Sequence, residues 1–261
     1  MANTIQDKLT YLSGTKDAIK QAIIGKGVEV SDTDTFRSYA DKIEAIQSGG
    51  GGTVNLPDGT KFGYSPFTTV PTELFPYLET QTDLSSMFKS CEALETIPLF
   101  DTSRVTDMSW MLSYCSALTT VYQLDTSRCT DMNYMLAFCE SLTTVPQLNT
   151  SSVQNVNSMF QYCKSLQTIP LLNFSKVNST RFTLGDCKSL TNLGGFTGLS
   201  VGLDLADCSK LTVDSVMNVI NYAADMTSSP KTLTLHKNTF NKLSQEQIAT
   251  ATAKGWNIAH W

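Results

Sequence analysis

The sequence is poor in charge. Asp, Glu, Lys and Arg make up 16% of its 261 residues, against about 25% in an ordinary globular protein. The charge present sums to −5, with a pI near 5.0. Nucleic-acid binding needs a basic footprint, so the charge argues against that class and no nucleic-acid partner is expected. No apolar run approaches the roughly 18–20 residues that cross a bilayer, so no membrane insertion is expected. There are two histidines, His236 and His260, and neither has a Cys or carboxylate at metal-ligand spacing. The phosphate-binding loop, the Gly-rich dinucleotide fingerprint, the paired-His zinc motif and the nucleophile elbow are all missing. Asp and Glu form no repeated pair of the glycosidase kind. These absences predict a protein that is not an enzyme, with no catalytic residue, no cofactor and no bound metal. The segment MANTIQDKLTYLSGTKDAIKQ lacks the basic stretch and apolar run of a secretory signal. A product made in the cytoplasm is expected, reaching any extracellular site by another route such as a virus particle. The seven cysteines are odd in number and imply no disulfide framework without a secretory context.

What the sequence has in abundance is hydroxyl and repetition. Thr and Ser account for 61 residues, 34 and 27 respectively, so the surface is wetted by hydroxyls more than by ions. Cys91, Cys115, Cys139, Cys163 and Cys187 recur every 24 residues. Three residues after each stands Leu94, Leu118, Leu142, Leu166 or Leu190, and three further on Ile97, Val121, Val145, Ile169 or Leu193. Phe100, Leu124, Leu148, Leu172 and Phe196 follow, and Met87, Met111, Met135 and Met159 close the cycle. A 24-residue coil cannot bury its own apolar face. Identical coils stacked in register bury Cys on Cys, Leu on Leu and Met on Met. Short parallel strands about 4.8 Å apart would join the coils at the L-x-x-I/V segment. Pro98, Pro146 and Pro170 should end them, because proline has no N–H to donate. Asp101, Asp125 and Asn149 carry turn chemistry. Asp107 and Asp131 stand where an N-cap would open a short helical turn. The Cys row is expected to be buried, reduced thiols acting as small hydrophobes.

The residues Met87-Phe88, Cys91, Leu94, Ile97-Pro98, Asp101-Thr102-Ser103 and Val105-Thr106-Asp107-Met108, with their copies, resemble the repeat of BspA-like leucine-rich-repeat surface proteins. The likeness spans roughly residues 60–205. It implies an α+β repeat protein, a leucine-rich-repeat solenoid of 24-residue coils with short parallel strands. Members of that group include bacterial surface adhesins and proteins of tailed bacteriophages. The organisation read from the sequence is a small helical module over 1–47, a Gly-rich linker over 48–53, a hairpin cap and truncated repeat over 54–81, the solenoid over 82–205 and a C-terminal αβ cap over 206–261.

In residues 1–47, Leu12, Thr15-Lys16, Ile19-Lys20, Ala22-Ile23, Lys26-Gly27-Val28, Thr35-Phe36, Tyr39-Ala40 and Lys42-Ile43 resemble the N-terminal modules of phage tail and fibre proteins. A segment this short buries little core alone, so a partner or self-association is expected to stabilise it. The likeness implies other virion proteins as partners, with a homo-oligomer also open. Val54–Tyr64 reads as a hairpin around Pro57-Asp58-Gly59, and Phe67–Pro71 as a truncated repeat. At the other end, Thr212 opens a helix, Thr232–Leu235 reads as a strand, and Ser244-Gln245-Glu246-Gln247 is a capping box. Gly255 ends that helix, and Trp256–Ala259 reads as a final strand.

Two surface rows are candidates for recognition. The aromatic row holds Trp110 and Tyr134 in one slot of the repeat and Tyr114, Phe138 and Tyr162 in another. Trp110 and Tyr134 each precede a core Met, so they should point outward and offer two flat faces about one coil apart. The row serves either packing along the edge or contact with a host surface protein, a glycan or a subunit. The polar row is Thr96, Thr120, Thr144 and Thr168. It reads as an ordinary hydroxyl ladder on a sheet or as a weak binding face. The function expected is a virion protein, a tail or head fibre or appendage, whose solenoid adheres to host cells. The alternative is a bacterial cell-surface adhesin.

Overall fold

The computed structural model describes residues 59–261. The expected helical module, the linker and the first part of the hairpin lie outside the described residues. No strand is assigned over 60–64, so the described half of the hairpin is a correction. These residues begin a coil instead. Phe62 N–H donates to the Met87 carbonyl and Tyr64 N–H to Lys89, as Phe88 and Ser90 do to the coil after them. Phe67–Pro71 completes this first turn, with Thr69 bridging Thr96. A 3-10 turn (Thr72–Leu74) and the one-turn helix α1 (Phe75–Leu78) lead into the next.

The regular elements of the coils are short parallel pairs. β1 (Thr96–Ile97) pairs β2 (Thr120–Val121) with Thr96 opposite Thr120. β3 (Thr168–Ile169), β4 (Leu172–Asn173), β5 (Asn192–Leu193) and β6 (Phe196–Thr197) form the pairs β3–β5 and β4–β6. Every register is 24 residues, so each residue meets its own copy. The strand row is interrupted once. An isolated bridge joins Thr144 to Thr168, but among the described residues no pairing joins Thr120 to Thr144.

The opposite side of each coil contains no helix, which corrects the short helical turn expected at Asp107 and Asp131. In the coil from Met108 to Cys115 the carbonyls of Met108, Trp110 and Leu112 each accept from the N–H three residues on. The alternate amides, those of Met108, Trp110, Leu112 and Tyr114, donate to Asp131, Asn133, Met135 and Ala137 in the next coil. A helix would have consumed these donors internally. Asp107 acts as a turn residue, its Oδ1 accepting from Ser109 N–H at 2.8 Å. Turning the chain on alternate residues in this way requires positive φ. Ser86, Trp110, Tyr134, Ser158 and Phe182 have it in one slot, and Tyr64, Ser90, Tyr114, Phe138, Tyr162 and Asp186 in the other, all between +54° and +64°.

The core is continuous from Phe62 to Trp256. The Cys, Leu and Met rows expected from the repeat are fully buried. All seven cysteines are free thiols. Each ladder thiol also has a partner. Cys115 donates to the Phe88 carbonyl at 3.2 Å, Cys139 to Leu112 at 3.2 Å, and Cys163 to Leu136 at 3.1 Å. Thr102 and Thr126, buried beneath the D-T-S turns, donate to Asp125 and Asn149 carbonyls of the next coil, each at 3.0 Å.

Beyond β6 the period shortens, since Cys208 follows Cys187 by 21 residues. β7 (Leu203–Leu205), unforeseen in the sequence, joins β8 (Lys231–Leu235) and β9 (Trp256–His260) in a parallel sheet ordered β7–β8–β9. Helix α2 (Val213–Tyr222) is capped by Thr212, whose side chain accepts from Ser215 N–H. A one-turn helix α3 (Lys237–Phe240) starts at His236. Helix α4 (Gln245–Ala253) has the full capping box of Ser244 and Gln247. Gly255, at φ +78°, stands where a Cβ would lie 2.1 Å from the Met226 carbonyl carbon.

Candidate binding surfaces

The aromatic row is brought together as the repeat implies. Trp110 and Tyr134 stack with centroids 3.9 Å apart and planes 7° apart. Tyr114 stacks on Phe138 at 4.2 Å, and Phe138 on Tyr162 at 4.7 Å. The backbone of every member lies in the left-handed region, at a cost of about 1–2 kcal/mol for an L-residue. Glycine would avoid that cost. The rings return part of it by stacking, each pair contributing about 0.5–1.5 kcal/mol beyond area burial.

The stacking changes what the row can offer. At 3.9 Å the inner faces of Trp110 and Tyr134 cover each other and leave no gap for a ligand ring. The Lys89 ammonium sits 3.9 Å from the Trp110 ring centroid, so the far face of that indole is also occupied. Burial holds the Lys89 pKa below its usual value. The pair is therefore one stacked column rather than two separate flat faces. Trp110 and Tyr134 are half-buried, as are Phe138 and Tyr162, while Tyr114 is 38% exposed. Phe182, further along the first slot, is 53% exposed with the Arg181 guanidinium over it.

The polar row lies where expected, on the pairing line. Thr120 and Thr144 are exposed, and Thr96 and Thr168 half-buried. Neighbouring hydroxyls serve the stack itself, as where Thr119 Oγ1 donates to Glu95 O at 3.2 Å.

The sequence reading missed a third surface. A groove of about 880 Å³ runs across the coils just beyond the strand row. Its floor is Phe100, Leu124, Leu148 and Leu172, and one wall is Asp101, Asp125, Asn149 and Asn173. Leu99, Gln123, Gln147 and Leu171 line the other side. The signal was in the sequence, in the slot after the strand. Pro98, Tyr122, Pro146 and Pro170 fill it in four coils, and Gly194 in the fifth. Proline removes the donor that would tie this slot to its neighbour. At the glycine the coils close up: a Cβ on Gly194 would lie 2.4 Å from Leu171 N, Gly194 N–H reaches Ile169 O, and Leu172 N–H reaches Gly195 O. The groove opens where the slot holds Pro or Tyr and narrows where it holds Gly.

The histidines serve the cap. His236 Nδ1 accepts from Asn238 N–H at 3.1 Å, and His260 packs on Phe240 at 4.2 Å. Among the described residues no three His, Cys, Asp or Glu side chains are grouped as a metal site, and no helix is long and apolar enough to cross a membrane. Burial pushes the Cys91 and Cys163 thiols up to about 12, well out of the range of a nucleophile.

No curated protein and no solved structure matches the chain. Residues 82–194 match the model of a family described as Mycoplasma protein of unknown function, DUF285. The repeat segment is thus similar to a family associated with BspA-like repeat proteins.

Proposed function

We propose that the chain is a non-enzymatic binding protein, a leucine-rich-repeat solenoid that presents a rigid recognition surface, and that it works as a virion appendage adhering to host cells. The observation that carries the binding reading is the groove: side chains on one wall repeat coil by coil over an apolar floor, held on a stack whose interior is fully buried. Sites of recognition are concave, mostly apolar and edged by a few placed polar groups. The likeness of residues 1–47 to phage tail and fibre modules supports the virion setting, with that segment anchoring the chain on other virion proteins.

A second reading, a bacterial cell-surface adhesin, draws support from the Mycoplasma proteins that the repeat segment resembles. Two measurements separate them. Mass spectrometry of purified virions from a candidate phage should find the chain, and deleting residues 1–47 should leave the coils folded while abolishing incorporation. A chain absent from particles but present on the bacterial surface overturns the virion reading in favour of the second. A chain that binds neither host cells nor neighbouring cells overturns adhesion altogether.

A further inference from the structure

We infer that the groove floored by Leu124 and Leu148 binds a neutral, unbranched glycan chain laid along the stack, one sugar ring to each coil; this deepens the adhesion reading by naming its ligand class. The first argument is how the groove is built. Across its middle the coils are joined by side chains: Gln123 Nε2 donates to the Gln147 carbonyl, Gln147 Nε2 to Leu171 O at 2.7 Å, and Thr126 Oγ1 to Asn149 O at 3.0 Å. Main-chain pairing resumes only at β4–β6. The groove therefore belongs to the stack and needs no movement to form.

The second argument is the chemistry of its wall. Asp101 and Asp125 each give one carboxylate oxygen to the turn, accepting from Ser103 N–H at 2.8 Å and Ser127 N–H at 2.9 Å. Asn149 and Asn173 do the same with their side-chain oxygens, at 3.2 and 3.0 Å. Each side chain is thereby fixed in place. The Ser103 and Ser127 side chains also bond the Asp101 and Asp125 carboxylates, while the side-chain nitrogens of Asn149 and Asn173 have no protein partner among the described residues. The wall offers two acceptors followed by two donors, one per coil, beside an apolar floor. Sugar rings present matching features: hydroxyls that donate or accept at the rim, and a C–H face that lies on the apolar lining, where Leu99 is exposed and Leu171 half-buried.

The third argument is spacing. Coils repeat at about 4.8 Å, while an extended peptide repeats its side-chain direction every two residues, about 6.6–6.8 Å. A peptide strand running along the stack drifts out of step within two coils. A linked pyranose ring is close to one coil in length; alternate rings of a β-1,4-linked chain are turned over, but both edges of a ring carry polar groups, so each ring can still meet one coil. Charge narrows the class further. Asp101 and Asp125 are held ionised by the Ser103 and Ser127 amides. Arg104 offsets part of the charge at Asp101, but among the described residues no cation faces Asp125, so an anionic polymer would be repelled at this part of the wall.

The test uses the full chain in calorimetric titrations with β-1,4-linked glucose and N-acetylglucosamine oligomers of one to six rings. Affinity should rise with length up to about four rings and then level off. Leu99→Glu, at a side chain 66% exposed at the groove's end, and Gln147→Trp, which fills its middle, should each weaken binding by about tenfold or more. The double variant Trp110→Ala, Tyr134→Ala should bind these oligomers unchanged. Absence of binding by both sugar series, affinity independent of length, tighter binding of oligogalacturonate or of extended peptides, or wild-type affinity in both groove variants overturns the inference. Host-cell binding measured in parallel keeps the two readings apart. Cell binding that survives Leu99→Glu sinks the groove and leaves adhesion standing, whereas oligosaccharide binding without cell binding does the reverse.

Discussion

The coils and the C-terminal cap stack along one core by different means. In the cap, β8 and β9 pair over five residues and α2 runs for ten, so backbone groups are satisfied within ordinary elements. In the coils no strand exceeds two residues between Thr96 and Thr197, and the same obligation is met by alternate turn amides, by thiols and by hydroxyls. The cap can lose any one link and keep its ladder. The coils spread their links over many single contacts, each of which exists because its copy stands one period away. Loss of one link in a coil should therefore be felt locally, between that coil and its neighbours, whereas the large effect in the cap should come from emptying its core, which closes the end of the whole stack.

The strongest test of that contrast is Trp256→Ala. The indole is fully buried and its Nε1–H donates to Ala224 O at 3.0 Å. The expected loss is about 3–5 kcal/mol by denaturant titration, in a single transition if cap and coils unfold together. Two separated transitions would show that the coils stand without the cap. In the coils, Cys139→Ser is expected to cost about 1–3 kcal/mol, because a smaller and more polar group replaces a thiol at the centre of the stack. Native Cys115, Cys139 and Cys163 should resist thiol reagents until unfolding, and rapid labelling would refute the ladder.

The thiols also give a pH dependence. Their folded pKa values are raised from 9.0, to about 12 for Cys91 and Cys163. Above the unfolded value the unfolded chain loses protons that the folded chain keeps, so stability is full below about pH 9 and falls as pH rises toward 12. Chemical denaturation at pH 7, 9 and 10.5 checks the sign, and a serine in place of one ladder cysteine should flatten the curve. A smaller effect is expected from the stacked rings. A double-mutant cycle on Trp110 and Tyr134 should give a coupling of about 0.5–1.5 kcal/mol. Zero coupling would mean that the rings only lie side by side. The smallest effect has the opposite sign. Ser86 holds φ +56° without a ring stacked on it, so Ser86→Asn should raise stability by about 0.5–1 kcal/mol, asparagine being better suited to that conformation.

How much could be read from the sequence follows the same divide. The 24-residue period announced the burial of Cys139, Leu142 and Met135, and the capping box announced α4, because repetition and 3.6-residue periodicity are both patterns of side chains. The turn side was misread. Asp107 before S-x-M looks like a helix start, but each coil's amides have a neighbour at hand, and that inter-coil bond replaced the i to i−4 bond. A local propensity could not have revealed this. The left-handed backbone was hidden because Trp110, Tyr134 and Phe138 are among the residues least expected there. β7 was missed because a three-residue strand has no period to show. The groove was legible in principle, in Pro98, Pro146 and Pro170 set against Gly194, but its meaning depended on knowing that the slot faces its own copy.

The direction of those amides carries one more consequence. From Met108 to Tyr114 four N–H groups point toward the following coil, whereas those of Ala117, Thr119 and Thr130 point back toward the preceding one. Peptide dipoles in an α-helix add head to tail and leave opposite partial charges at its ends. Here they oppose one another around each turn, so the stack builds up little electrical polarity however long it grows. Neither end is driven to collect counter-ions, and a coil can be inserted or removed without upsetting a long-range field. Within such a protein, length is free to follow the size of what is bound.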